Sequence, residues 1–332
     1  MREKSMRRHH KLIMLAAGTM VLCAGSNVLA ENSVNILALK GPTAMGMVSL
    51  MNQADQGEVA DENYNFQIVA SPDEVTPAIA QGTADIAAVP ANLASVLYQK
   101  TDGSVQVLTI NTLGVLYLVE NGDQIQNISD LKGKTIYASG KGATPEYALN
   151  YILKENGLTP GEDVQIEWKS EHTECVAALA EHEDAIALLP QPFVTTAQSK
   201  NDSLRVALDL TEEWDNIQKE NGGNSSLVTG VTVVRTEFVQ EHPEIVEDFM
   251  ERYQESVTFV NDHAEEAAKM IGNYDIIPEE VAKKALPECN IVYIDGAEMK
   301  EKLSGYLEVL KQENPQAVGG TLPTDEFYYD AE

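Results

Sequence analysis

The chain has 332 residues, with 23 Lys and Arg against 52 Asp and Glu. A formal charge of −29 repels phosphate backbones and anionic lipid, so nucleic acid and membrane surfaces are excluded as natural partners. No CxxC pair, His-rich tract or low-complexity segment occurs, and no metal or other cofactor is expected.

Residues 1–30 open with Arg2, Lys4, Arg7, Arg8 and Lys11, continue as an apolar run over 12–22, and end on Val28-Leu29-Ala30. The run is too short to span a bilayer, and the small residues before the break suit a signal peptidase. The segment therefore reads as a secretory signal peptide cleaved near Ala30. A lipoprotein signal anchored at Cys23 is the rival, disfavoured because Leu22 stands where a lipobox wants a small residue. Export predicts a periplasmic or cell-surface location. The segment takes five basic and one acidic residue with it, leaving 18 against 51 and a net charge of −33. Cys175 and Cys289 remain, far apart in the chain, and a disulfide between them is not the favoured state.

Residues 34–39 form a short apolar strand that Lys40-Gly41-Pro42-Thr43 breaks. A helix is expected over 44–52, with Met45, Val48 and Met51 on one face. A second strand spans 65–70, and Ser71-Pro72-Asp73 is a helix entry made of a polar cap, a proline and an acid. That helix runs to Gly82, a buried strand follows over 85–89, and Pro90-Ala91-Asn92 turns it into the next helix. Residues 109–119 are mostly apolar and end in Glu120-Asn121-Gly122-Asp123, a turn cluster.

From 129 to 161 a turn, a strand, a Gly-rich loop and a helix closed by Asn156-Gly157 make one strand–helix unit. Gly133-Lys134-Thr135 lacks the earlier glycine of a phosphate loop, since Ile128 stands there. Gly140-Lys141-Gly142 lacks the third glycine of a dinucleotide fingerprint, because Pro145 takes its place. A strand over 164–169 leads to a helix that begins at Glu171-His172-Thr173-Glu174. These acids, with Cys175, fit no common metal spacing and suit a helix N-terminus. The chain then runs through 204–210 and a loop over 220–226 to a strand over 228–234. The remainder reads as helical, beginning at His242-Pro243-Glu244 with a core stripe of Val246, Phe249, Met250, Tyr253 and Val257. Further helices are expected over 278–286 and 297–313, before an aromatic end at Phe327-Tyr328-Tyr329.

One stretch occurs twice. Residues 73–97 contain Ala78-Ile79-Ala80 and Ile86-Ala87 up to Pro90; Ala178-Leu179-Ala180 and Ile186-Ala187 up to Pro190 repeat them at an offset of 100. Ile36-Leu37-Ala38 and Ile136-Tyr137-Ala138 repeat at the same offset, and Gln67-Ile68 with Gln165-Ile166 at 98. Two units of about a hundred residues share one plan, and alternating helices and buried strands argue an α/β fold with largely parallel sheets.

Lys40-Gly41-Pro42-Thr43, residues 80–90, Asp130-Leu131-Lys132-Gly133-Lys134, Lys154-Glu155-Asn156-Gly157-Leu158, Pro190-Gln191-Pro192-Phe193 and residues 236–245 together resemble a type II solute-binding protein of an ABC importer, in the nitrate/sulfonate/taurine-type branch. The resemblance implies the two-lobed type II periplasmic-binding-protein (Venus flytrap) fold with two hinge crossings. These would lie near 111–119 and 226–234, giving a first lobe of 31–115 plus 232–332 and a second of 116–231. It further implies a monomeric receptor that catalyses no reaction and delivers a small molecule to a membrane permease. Ligand would sit between loops that follow the parallel strands. On the first lobe these offer Gly41, Thr43, Ala44, Ser71, Asp73, Asn92 and Thr112. On the second they offer Ser139, Gly140, Ala143, Thr144, His172, Thr173 and Gln191, with Tyr147, Trp168 and Phe193 as an apolar wall. This inventory of neutral donors suits a small organic or inorganic anion such as a sulfonate or nitrate. The alternatives are a neutral heteroaromatic vitamin precursor, an enzyme on the same fold and a surface scaffold.

Overall fold

The computed structural model describes residues 33–59, 63–182 and 184–330; the expected signal segment, Cys23 included, lies outside them. In chain order the first elements are β1 (Ser33–Leu39), α1 (Pro42–Met45), α2 (Val48–Gln56), β2 (Asn63–Val69), α3 (Pro72–Ala80), β3 (Ile86–Pro90), α4 (Ala91–Lys100) and β4 (Val105–Leu113). Then come β5 (Leu116–Asn121), β6 (Thr135–Ser139), α5 (Thr144–Glu155), β7 (Gln165–Lys169), α6 (His172–Glu181), β8 (Ile186–Pro190), α7 (Phe193–Lys200), β9 (Leu204–Asp209) and α8 (Leu210–Asn221). The chain closes with β10 (Val228–Arg235), α9 (Thr236–Glu241), α10 (Pro243–Asp262), α11 (Ala264–Asn273), α12 (Glu279–Ala285), β11 (Ile291–Ile294) and α13 (Gly296–Glu313).

These strands form two sheets, ordered β11-β4-β10-β3-β1-β2 and β7-β6-β8-β5-β9. Within each, the repeated strands are parallel; β10 and β11 run against them in the first sheet, and β5 does so in the second. The duplication is visible in the register. Ile36 lies opposite Ile86 and Phe66, and Ile136 lies opposite Ile186 and Ile166. The offset is therefore 100 along all three strands, and the match of Gln67-Ile68 with Gln165-Ile166 at 98 is out of register. The caps are duplicated as well: Glu74 closes a capping box on α3 and Glu174 closes one on α6.

Expectation and structure differ at three places. The helix expected over 44–52 is two helices parted at Gly46-Met47. An ideal Cβ on Gly46 would stand 3.1 Å from Ile291 Cγ2 and 3.2 Å from Val257 Cγ2, so this break lies where α10 and β11 press closest. The apolar run 109–119 is two strands of different sheets, joined by Gly114-Val115. The second crossing lies at 222–227, ahead of its expected position. Val228 to Val231, expected at the end of the second lobe, pair with β4 and β3 in the first sheet.

Three apolar clusters hold the molecule. One is confined to the β10–α10–α12 face of the first lobe, and one to the α6–α7 face of the second. The largest crosses between lobes, uniting Leu97 and Val105 with Tyr147, Ile152 and Trp214 through Tyr306 and Leu310 of α13. The α10 stripe is core, with Val246, Phe249, Tyr253 and Val257 buried and Met250 half-buried. The aromatic end packs on β4: the Tyr329 amide donates to the Val107 carbonyl at 3.0 Å, and Phe327 meets Tyr98 edge-on with ring centres 5.2 Å apart. Cys175 and Cys289 are buried and unbridged. No helix among the described residues is long and apolar enough to cross a membrane.

Candidate functional site

The ends of both sheets face one another across the crossings. Gly230 sits opposite Pro90 and Thr112 at the end of the first sheet. Leu116 sits opposite Pro190, and Tyr117 opposite Asp209, at the end of the second. The loops that leave these ends carry the candidate residues.

On the first lobe a buried, uncharged network lies at the sheet end. Asn111 Nδ2 donates to Thr232 Oγ1 at 3.1 Å, and Thr112 Oγ1 donates to Asn111 Oδ1 at 2.9 Å. A Cβ on Gly230 would overlap Asn111 Oδ1 and Thr43 Cγ2 and stand 3.2 Å from Thr112 Oγ1. Glycine here lets the β1–α1 loop close onto β10, so Thr43, Asn111 and Thr112 meet. The Thr43 hydroxyl donates to the Leu39 carbonyl at 2.8 Å, which fixes the loop. Gly41, at φ 129°, has open space around the Cβ position. Asn92, half-buried in the first turn of α4, makes no side-chain hydrogen bond among the described residues.

On the second lobe Ser139 Oγ and His172 Nδ1 are 2.5 Å apart. The imidazole also tilts against Phe193, ring centres 4.8 Å apart. Burial holds the His172 pKa below its ordinary 6.5, against a smaller upward pull from Glu171, so the neutral ring is favoured at neutral pH. Gly140, at φ 83°, packs under Pro145: an ideal Cβ would stand 2.8 Å from its Cγ. Gln191 is buried after a cis peptide to Pro192. Its Oε1 accepts from Thr195 Oγ1 at 2.9 Å, and the residue lines a groove of about 690 Å³.

Other expected residues have different duties. Ser71 caps α3, its Oγ accepting from the Asp73 amide at 3.2 Å, and Asp73 and Thr173 are exposed in first helical turns. Ala44 is fully buried in the first-lobe core, with its amide donating to Gly41. Ala143 is the half-buried N-cap of α5. The buried Thr144 hydroxyl is paired with Tyr306 at 2.9 Å. Of the expected apolar wall, Phe193 meets His172; Tyr147 is core, and Trp168 packs at the core's edge.

The groove beside Gln191 was not legible from strand-end loops. Tyr117, Asp209 and Glu212 line it from the second lobe, and Lys284 and Glu288 from the first. Burial, then the Glu212 charge among smaller causes, pushes the Asp209 carboxyl above the ordinary carboxylate range. Thr43 and Thr112 of the first-lobe network were expected from their loops, and a glycine inside a strand, Gly230, is the signal that could have found the close approach between them; Asn111 and Tyr306 had none.

The chain matches the family described as "ABC transporter, phosphonate, periplasmic substrate-binding protein" over residues 57–243. In structure it is similar to an ABC transporter protein from Parabacteroides distasonis, at 23% identity and a TM-score of 0.74, covering 91% of this chain and 100% of that one. It is also similar to the periplasmic aliphatic sulphonate binding protein SsuA from Escherichia coli, at 14% identity and a TM-score of 0.70, over 91% and 93% of the two chains. The desulfurization enzyme DSZB shares the fold at 13% identity and a TM-score of 0.65, over 91% and 97%. No curated protein matches it.

Proposed function

The chain belongs to the phosphonate-type family of periplasmic substrate-binding proteins of ABC transporters, and from that premise we propose that it captures a small organic or inorganic anion between its two lobes and delivers it to a membrane permease. The observation that carries the ligand class is the neutrality of the donors at the facing sheet ends. Thr43, Asn92, Asn111 and Thr112 on one side, and Ser139, His172 and Gln191 on the other, are neutral, and their loops carry few formal positive charges, Lys40 and Lys141 among them. An oxyanion held this way is bound by oriented dipoles, and a small group with one charge fits better than a polyanion. The adjoining groove reinforces this limit, because Asp202, Asp209, Glu212 and Glu288 outnumber Lys284 there and repel a second anionic group.

Thermal shift against phosphonates, sulfonates, nitrate, carboxylates and neutral heteroaromatics tests the reading. A ligand at a hundred times its dissociation constant stabilises by about 2.7 kcal/mol. Ser139→Ala is expected to weaken affinity at least tenfold, removing about 1.4 kcal/mol of that stabilisation, while leaving the free protein's melting nearly unmoved. A response confined to neutral heteroaromatics would replace the anion reading. A flat panel would reject it, provided that mass spectrometry of the denatured protein releases no co-purified ligand.

A further inference from the structure

The groups around the His172 imidazole decide which of its two nitrogens carries the proton. Nδ1 lies 2.5 Å from Ser139 Oγ, and the ring tilts against Phe193. Nε2 makes no hydrogen bond among the described residues. The charged side chains nearby are engaged elsewhere. Glu171 accepts from a backbone amide in the first turn of α6, and Glu174 accepts from the amides of Ser170 and Glu171 at 2.8 and 3.3 Å. Lys169 pairs with Glu167 at 2.5 Å and stands over the Tyr137 ring. The ring therefore takes its hydrogen bond from a neutral neighbour.

That neighbour belongs to a short chain. Cys175, one helical turn after His172, is fully buried. Burial raises its thiol pKa, so the sulfur keeps its proton and donates it to the Glu171 carbonyl at 3.8 Å. Ser139 lies within hydrogen-bonding reach of this sulfur as well as of His172 Nδ1. The hydroxyl has a single proton to give. An imidazole nitrogen is a good acceptor and a thiol sulfur a weak one, so the proton goes to Nδ1. The reverse arrangement, with Nδ1–H donating to serine and serine donating to sulfur, spends that proton on the weaker acceptor. With Nδ1 occupied as an acceptor, the ring proton sits on Nε2.

We infer that Ser139 is a positioning residue acting through His172: its hydroxyl holds the imidazole in the Nε2–H tautomer, and this side of the site thereby receives a ligand oxygen that carries no proton. The tautomer stands on the hydrogen bonds alone, whereas its consequence for ligand rests on the anion-receptor reading. Every oxygen of a sulfonate is of this kind. A phosphonate with the same single charge keeps a proton, and where that proton meets Nε2–H the two donors oppose each other.

Two-bond ¹H–¹⁵N correlation spectra of the histidine-labelled, ligand-free full chain read the tautomer. They are recorded above about pH 7, where an ordinary histidine is neutral, and His172 is assigned by the signals that His172→Gln removes. Wild type is expected to show Nε2 protonated and Nδ1 bare. Ser139→Ala is expected to release the ring, moving both nitrogens toward the averaged shifts of exchanging tautomers. Ser139→Thr keeps a hydroxyl and is expected to retain the wild-type pattern. Cys175→Ser gives Ser139 a stronger competing acceptor and is expected to populate Nδ1–H, whereas Cys175→Ala is expected to leave the pattern unchanged. Calorimetry with methanesulfonate and methylphosphonate reads the ligand side. Wild type is expected to favour the sulfonate by about tenfold or more, the effect of one opposed donor, and Ser139→Ala to lose most of that preference. An Nδ1–H ring in wild type, or one tautomer common to wild type and Ser139→Ala, would overturn the positioning role. An undiminished sulfonate preference in Ser139→Ala would overturn its consequence for ligand. Binding of neither anion would overturn the anion reading, while the spectra still decide the tautomer.

Discussion

Gly230→Ala places a methyl group where the first-lobe network has no room. The new carbon overlaps Asn111 Oδ1 and Thr43 Cγ2 and lies 3.2 Å from Thr112 Oγ1. Neither asparagine nor threonine can turn away freely, because Asn111 is held by Thr232 and Thr112 by Asn111. Overpacking of this kind costs roughly 1–3 kcal/mol, and one broken buried hydrogen bond adds about 1 kcal/mol. The sum is about 2–4 kcal/mol. With an unfolding entropy of roughly 2.1 cal/mol/K per residue over about 300 residues, that lowers Tm by about 3–6 °C. Differential scanning calorimetry reads the change. Adding Thr43→Ser removes Cγ2, one of the two overlapping atoms, and is expected to restore part of the loss. The same variant moves the β1–α1 loop and so weakens ligand binding more than its stability loss accounts for. A Tm within about 1 °C of wild type, with unaltered ligand binding, would refute the claim that this glycine seats the loop.

Two further perturbations separate structure from function. Asp85 accepts from the Asn35 amide at 2.9 Å and pairs with Arg235 at 2.9 Å, with its side chain 8% exposed. Asp85→Ala removes the buried acceptor of the Asn35 amide and one of the two carboxylates on Arg235, which keeps Glu237 at 2.9 Å, and is expected to cost about 1–3 kcal/mol in urea unfolding; a loss below about 0.5 kcal/mol would show the pair to be dispensable. His172 titrates lower in the folded state than in the unfolded chain, because burial disfavours its charged form. The unfolded state therefore binds more protons below about pH 6.5. The group's contribution is intact above that pH and is lost as pH falls through the window between the two values. His172→Gln is expected to flatten this dependence, so wild type and variant should diverge in Tm as pH falls below 6.5; parallel curves would count against a buried neutral ring.

How much of this was legible in the sequence depended on distance along the chain. The 100-residue repeat carried enough to place equivalent strands, since Ile36, Ile86, Ile136 and Ile186 occupy matching register positions. It failed at Gln67-Ile68, where a dipeptide match shifted the third strand by two residues. A shift of two preserves the side-chain face, so alternation gave no warning. Local chemistry also identified Ser71 correctly as a helix entry, and that role consumes the hydroxyl. Thr144 was expected to face ligand for the same reason, yet it pairs with Tyr306, 162 residues later. Asn111 meets a partner 121 residues away. Contacts of that span arise only when the chain returns to the first lobe, and nothing local encodes them.

The charge of the chain and the chemistry of its site pull in opposite directions, and burial reconciles them. At physiological ionic strength surface charges are screened beyond roughly 8 Å, so an excess of carboxylates over the whole surface acts mainly on approach. Inside the cleft the nearby dipoles dominate, where effective dielectric is lower and each oriented hydroxyl or amide counts for more. Ser139 and His172 illustrate the arrangement. Burial keeps the ring neutral, so it offers one donor and one acceptor, and the serine fixes Nδ1. A permanently charged lysine in that place would bind an anion more strongly, but it would also be drawn to the surrounding carboxylates, among them Glu171 beside it. Neutral donors avoid that competition. In the site proposed here they would release ligand without breaking an ion pair, which suits a receptor that surrenders its cargo to a permease each cycle.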